Sequence, residues 1–287
     1  MILLYLAACG SADPETLVDE LRVMAIQPNP AELTASFEGA EASFDVLVAD
    51  PEEEGAELLF WTCTNLGDGC LESEFYPDQP EEWVKSSEVV SDTTTFSLLF
   101  PSGWAGVISE IPEEAQPFRA SIAWALACRP GVCPLIGEAG EGKVDTEALS
   151  SPFDLAASLP SEGVSLAFRS LLVSTRAEEE RVRHPELEPL FTDLEMEPGG
   201  TMELPFSYVL NGIPNEDSRI YGYATKGGFM SNDPINSLLG TETGETTLSW
   251  STDEGEEEGP TKIYVILENG EGGIEIWTGE GSVGSAP

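Results

Sequence analysis

The chain has 287 residues, of which 53 are Asp or Glu and only 12 are Lys or Arg, for a formal net charge of −41. The acid runs through both halves, so it repels phosphate backbones and anionic lipid headgroups alike, which excludes nucleic acid as a partner and any membrane contact made through basic residues. With 41% hydrophobic residues the chain can bury one large or two ordinary cores, and no apolar run reaches the roughly 18 residues of a membrane span.

Residues 1–8, MILLYLAA, carry no charge. As a helix they would rise only about 12 Å, too little to cross a bilayer, but they suit the apolar core and cleavage end of an export signal. The run Leu6-Ala7-Ala8-Cys9 resembles the lipobox of bacterial lipoproteins. The resemblance implies a signal peptide over 1–8, a cut before Cys9, acylation of its thiol, and a lipid bilayer as partner through that anchor. Gly10 rather than Asp after the cysteine implies an outer-membrane address. The run is short and no basic residue precedes it, which a start a few residues upstream would explain. The alternative is a chance apolar N-terminus with a buried cysteine. Residues 9–18, with "GSADPET", read as a small, polar, lipidated tether.

From residue 19 the period is mostly two, the mark of half-buried strands. "EASFDVLVA" places Ala42, Phe44, Val46 and Val48 on one face. "ELLFWTC" places Leu58 and Phe60 on one face and Leu59, Trp61 and Cys63 on the other. "FSLLF" reads as a strand, "PSGWAGVISEI" as a short helix, and "RASIAWALA" as a strand with Ile122, Trp124 and Leu126 together. "SPFDLAASLP" reads as a second short helix. Residues 72–92 and 137–160 read as excursions from a first β-sandwich domain spanning 19–160. The break is expected at "LPSEG".

A second sandwich is expected over 161–284. It begins with the strand "VSLAFRSLLVS" and the polar crossing "RAEEERVRHPELEPL". It continues through "TMELPFSYVL", "SRIYGYAT", "TTLSWST" and "TKIYVILE" to a terminal hairpin, "LENGEGGIEIW", around a Gly-rich turn. Many short strands with frequent turn signals imply an all-β fold of two antiparallel, immunoglobulin-like sandwiches in tandem. On "RIYGYATKGGF" and "TKIYVILENGEGG" the second half resembles bacterial immunoglobulin-like and PKD-like modules. The lipobox, "LRVMAIQPNPAEL", the strand ending "VADP", the Trp–Cys strand and the "NGEGG" hairpin together resemble a class of uncharacterised bacterial lipoproteins. That resemblance implies envelope display and supplies no catalytic residues.

Beside Cys9, four cysteines remain, and an even number in an exported chain reads as disulfides. Local pairs, Cys63 with Cys70 and Cys128 with Cys133, are preferred because each flanks a tight, Gly-bearing turn. The rival is Cys63 with Cys128, should their strands be neighbours. Neither local pair has the knuckle spacing of a zinc site.

Other candidate sites are weak. His184, the single histidine, stands beside a proline among charges and reads as a packed loop residue; no G-x-S-x-G elbow offers it a serine. "GEGSVG", Gly279 to Gly284, matches dinucleotide-loop spacing but has no helix after it, and reads as a flexible end. "DEGEEEG" supplies Asp253, Glu254, Glu256, Glu257 and Glu258 as the only calcium candidates, without the alternating ligand spacing of a calcium loop; a solvated loop is the preferred reading, as it is for "PEEEG" from Pro51. No other cofactor is implied. Trp61, Trp124 and Trp250 lie in strand patterns and read as core; Trp83 and Trp104 lie in irregular stretches and are better placed for exposed contacts; Trp277 is the last residue of the terminal hairpin stretch.

The expected function is therefore a non-catalytic, lipid-anchored cell-envelope protein, structural or adhesive through its immunoglobulin-like domains, with a protein or polysaccharide partner at the cell surface. The alternative is an envelope carbohydrate hydrolase using one of the many carboxylate pairs the composition allows.

Overall fold

The computed structural model describes residues 17–18, 20–36, 38–64, 84–89, 93–100, 103–132, 159–160, 162–215, 217–229, 235–237 and 242–284. They fall into two compact units: the described residues of Glu20–Arg181 in the first, and those of Val182–Pro287 together with Leu17 and Val18 in the second. Both are all-β sandwiches.

Unit 1 contains β1 (Arg22–Asn29), β2 (Glu32–Thr34), β3 (Ala40–Ala49), β4 (Ala56–Thr64), β5 (Val84–Val89), β6 (Thr93–Phe100), the helix α1 (Gly103–Ser109), β7 (Phe118–Cys128) and β8 (Val164–Ser174). One sheet has the order β1-β3-β6 and the other β2-β8-β7-β4-β5. The first strand is thus split between sheets: β1 pairs antiparallel with β3, and β2 pairs parallel with the last strand, β8. The alternation read from the sequence supplies the core. Phe44, Val46 and Val48 of β3 face Leu58 and Phe60 of β4. Ala123, Ala125 and Ala127 of β7 are small enough to leave room for the phenylalanines. Phe60 packs 4.9 Å from Phe44 and stacks 5.1 Å from Phe96, ring centre to ring centre. Ala105 and Ile108 of α1 are buried against the same core.

Strands β4 and β7 depart from the half-buried expectation, because Leu59, Trp61, Trp124 and Leu126 on their opposite faces are buried as well. Trp61 and Trp124 are direct cross-strand partners, stacked with ring centres 6.0 Å apart.

Two buried ion pairs tie the strand ends of unit 1. Glu32, fully buried in β2, accepts from the Ser174 hydroxyl and from the Arg176 guanidinium. Arg129, just after β7, reaches the β3–β4 turn: its guanidinium lies 2.6 Å from Asp50 and 2.8 Å from Glu52, and donates to the Gly55 carbonyl. Burial works against the Arg129 charge, but the hydrogen bond to Asp50 and the charges of Asp50, Glu52 and Glu54 outweigh it, so its pKa is raised. The "PEEEG" stretch is therefore pinned at its base, although Glu52 and Glu54 keep most of their surface in water.

Unit 2 repeats this plan. Its strands are β9 (Glu186–Pro189), β10 (Glu195–Met196), β11 (Thr201–Val209), β12 (Ser218–Ala224), β13 (Gly228–Phe229), β14 (Ile235–Ser237), β15 (Thr243–Ser251), β16 (Gly259–Asn269) and β17 (Ile274–Val283). The sheets have the orders β13-β15-β11-β9 and β10-β17-β16-β12-β14. The opening strand is again split, with β9 on β11 and β10 parallel to the last strand, β17. This is the Greek-key strand arrangement of immunoglobulin-like sandwiches. The core is built by Leu204 and Phe206 of β11, Ile220 of β12, Trp250 of β15 and Ile263, Val265 and Leu267 of β16. Phe191, Phe206 and Trp277 meet edge to face at 5.2–5.4 Å.

Three expectations are corrected. The domain break lies after Arg181, not at 160/161, because β8 pairs with β7 from Phe118–Val173 to Cys128–Val164 and completes the first sandwich. "LPSEG" leads into the last strand of one sandwich, and local composition cannot tell such a connection from an interdomain link. Within "RAEEERVRHPELEPL", a 3-10 turn at Glu178–Glu180 closes unit 1, and β9 already belongs to unit 2. "GEGSVG" is not a loose end: β17 runs through it to Val283, paired along β16. A β-carbon on Gly281 would lie 2.3 Å from the Leu194 carbonyl oxygen, so glycine is what lets β10 approach. β5 falls inside the expected excursion 72–92, and the helix expected at "SPFDLAASLP" lies outside the described residues.

Two independent cores predict two separable transitions. In urea unfolding, Phe60→Ala is expected to cost unit 1 about 3–5 kcal/mol and leave the unit 2 transition in place, with Phe206→Ala doing the reverse. Tryptophan fluorescence resolved by fragment-specific hydrogen exchange reads both.

Candidate functional site

At one end of unit 2 the β11–β12 loop meets the β16–β17 turn. Asn269, the last residue of β16, is fully buried and uses its whole amide. Its Nδ2 donates to the carbonyls of Arg183 (2.9 Å) and Leu210 (3.2 Å), and its Oδ1 accepts from the amides of Glu271 (3.0 Å) and Gly273 (2.9 Å). One side chain thus ties the chain's entry into unit 2, the end of β11 and the closing turn. A β-carbon on Gly273 would sit 2.3 Å from the Arg183 carbonyl oxygen, which explains the glycine at that crossing.

The β11–β12 loop is braced from both ends. Asn211, held at φ 53°, donates from Nδ2 to the His184 carbonyl at 2.8 Å. The Asn215 amide N–H donates to Ser218 Oγ at 3.0 Å, and Ser218 Oγ donates to the Asn269 carbonyl at 2.9 Å. The Asn215 Oδ1 accepts from the Asp217 amide at 2.8 Å. At the loop's tip Ile213 is 76% exposed, the most exposed of the large apolar side chains described. An apolar residue on a braced loop costs little ordering entropy when a partner covers it.

His184 belongs to this brace. Its Nδ1 accepts from the Ile274 amide at 3.2 Å. That agrees with its reading as a packed loop residue. Beside the loop end, Tyr221 donates to Glu268 at 3.2 Å. Burial, with the Glu268 charge, pushes the Tyr221 phenol well above its usual range.

The acidic stretch Asp253–Glu258 is organised by its backbone. The Asp253 carbonyl accepts from the amides of Gly199 and Glu256, and Lys226 Nζ donates to the carbonyl of Glu257 at 2.9 Å. Among the described residues no three His, Cys, Asp or Glu side chains, including Asp253, Glu254, Glu256, Glu257 and Glu258, come together as a metal site.

Of the remaining candidates, Trp61 and Trp250 are fully buried and Trp124 nearly so, and Trp250 Nε1 donates to the Lys226 carbonyl at 2.9 Å. Trp83, Cys9, Cys70 and Cys133 lie outside the described residues, as does the side chain of Trp104. Cys63 and Cys128 do sit on neighbouring strands, but Cys63 is opposite Ile122 whereas Cys128 is opposite Glu57. Six residues of β7 separate those positions, about 20 Å at strand rise, and a disulfide needs α-carbons under about 7 Å. Adjacent strands are therefore not enough for the Cys63–Cys128 rival, and register removes it.

No family model matches the chain, and no curated protein matches it in sequence. Among solved structures, the D0–D1 domain of intimin aligns at 10% identity over 92% of this chain and 99% of that one, with a TM-score of 0.27. A D1–D4 ectodomain fragment of ICAM-5 aligns at 14% identity over 92% of this chain and 53% of that one, also at 0.27. Red sea bream transglutaminase aligns at 11% identity over 94% of this chain and 32% of that one, at 0.26. At these scores none of the likenesses bears on function, and the fold assignment stands on the strand pairing itself.

Sequence reasoning missed Asn269, Asn211 and Ile213. The Asn-Gly pair at 269–270 signalled a turn, but nothing local signalled that the asparagine reaches two other segments. Asn269→Ala is expected to leave two carbonyls and two amides without that partner, costing unit 2 about 3 kcal/mol and accelerating amide exchange across 210–217 and 270–274. Exchange mass spectrometry together with urea unfolding measures both effects.

Proposed function

We propose that this chain is a non-catalytic cell-envelope protein, anchored to the outer membrane by an acylated Cys9, whose second sandwich presents the Ile213 loop to a protein or polysaccharide partner. The observation that carries the reading is the braced loop end itself, in which an exposed isoleucine stands on a network closed by Asn269. The LAAC motif supports the anchor, and the acidic surface keeps a displayed protein hydrated and clear of anionic lipid. In cells fed a clickable fatty acid, the protein is expected to take the label and Cys9→Ser to lose it. With the anchor intact, Ile213→Asp is expected to remove the surface crosslinks of the parent without changing its melting temperature. Labelled Cys9→Ser, or unchanged crosslinks in Ile213→Asp, would each remove one half of the proposal.

An exported location also fits disulfide chemistry. The reading is supported by the register that separates Cys128 from Cys63. The bridges proposed are Cys128–Cys133 and Cys63–Cys70, each closing a short loop. Non-reducing peptide mapping is expected to recover both links and no free thiol; a Cys70–Cys128 link would replace this pairing.

A further inference from the structure

The sequence carries the pair Asn-Gly twice, at 211–212 and 269–270, and the fold brings both to the same end of unit 2. The two pairs are held differently. Asn269 is fully buried, and its side-chain amide bonds four backbone groups. Its glycine is required by the turn: Gly270 sits at φ 75°, and a β-carbon there would lie 2.1 Å from Asn215 Oδ1. Asn211 is only half-buried. Among the described residues its carboxamide is held through Nδ2 alone, 2.8 Å from the His184 carbonyl and 3.3 Å from the Glu186 carboxylate. Gly212 does not take the left-handed conformation, and what a β-carbon there would meet first, at 2.5 Å, is the far end of the Glu271 side chain. The backbone thus does not demand a glycine after Asn211.

We propose that Asn211 is a modification site, at which spontaneous deamidation frees the β11–β12 loop from the entry into unit 2, whereas Asn269 in the same dipeptide is protected. A glycine leaves the following backbone nitrogen unshielded, which is what the reaction needs. The Gly212 nitrogen attacks Asn211 Cγ and loses its proton to water; the Cγ–Nδ2 bond breaks, and Nδ2 takes up a proton and leaves as ammonia. Water then opens the five-membered imide at either carbonyl, giving aspartate or isoaspartate. The sum is amide plus water to acid plus ammonia, with no redox change. The attack requires the Asn211 carboxamide to leave the His184 carbonyl, an opening of one loop; at Asn269 it requires four bonds to break in a buried site, a costlier opening. The product cannot restore the brace. A carboxylate has no N–H for the His184 carbonyl, and it stands as a like charge beside Glu186, where Nδ2 lay 3.3 Å away. The modification rests on neither the Cys9 anchor nor a partner at Ile213.

The test ages the full chain, kept unacylated by Cys9→Ser, in mildly alkaline buffer and follows it by peptide mapping for the amide-to-acid mass gain and for isoaspartate. In the folded chain Asn211 is expected to convert about tenfold faster than Asn269, a ratio set by the two opening free energies. In the denatured chain both sites should convert at similar rates, so the difference belongs to the fold. Gly212→Ala, which shields the nitrogen and keeps Asn211, is expected to slow the conversion severalfold. Asn211→Asp, the product itself, is expected to speed amide exchange across 210–217 severalfold and leave exchange in unit 1 unchanged. An Asn211 that stays an amide in the folded chain, equal conversion at both sites, undiminished conversion in Gly212→Ala, or parent-like loop exchange in Asn211→Asp would each overturn the proposal.

Discussion

Both sandwiches depend on one constraint: the last strand of each must be closed by a parallel partner taken from a split first strand. β2 does this for β8, and β10 does it for β17. Without that partner, β8 and β17 would themselves be the edge strands of their sheets. The split also commits the chain's first residues to both layers at once, which locks the sheets together over their cores. In unit 1 the closing strand carries Glu32, whose buried carboxylate meets Ser174 and Arg176 at the end of β8. In unit 2 the closure is steric, because Gly281 lets the Leu194 backbone approach β17 closely. The same topological problem is thus solved once by a buried ion pair and once by a missing side chain.

Edge management links the fold to the candidate site. Among the described residues β14 pairs with β12 at Arg219–Tyr221, and the Ala224 carbonyl of the same strand accepts from the Val18 amide. The opposite demand governs the loop end around Asn269. There the backbone groups of three segments converge away from water, and one amide side chain satisfies four of them. Buried backbone groups must find partners, so a loop braced in this way holds one shape. Ile213 is the exposed apolar residue of that loop.

Charge plays a different part in each setting. Most of the acid is solvated, but the turn after β3 shows how a carboxylate excess is used structurally: Arg129 draws Asp50, Glu52 and Glu54 toward one guanidinium and so pins the hairpin base. Near Asp253–Glu258 the ammonium of Lys226 donates to backbone carbonyls. With so few cations available, each one described in these turns bonds to backbone or carboxylate at a place where the chain reverses.

The sequence by itself determined the all-β class, the longer strands, and which of their residues alternate inward, because a period of two and the residues that break it are local properties. Phe44, Phe60, Phe206 and Val265 could be assigned to cores from their neighbours alone. It also marked the Asn-Gly turn and the packed role of His184. Tertiary structure alone decided what depends on pairing between distant segments. The domain boundary followed from β8 joining β7, and the glycines of "GEGSVG" became meaningful only once Leu194 lay across them. Cys63 and Cys128 turned out to be on adjacent strands yet out of register, a distinction that spacing along the chain cannot carry. The burial of Asn269 and the docking of Val18 are of the same kind: each is set by a partner far away in sequence, and local pattern holds no record of which distant backbone will arrive to be satisfied.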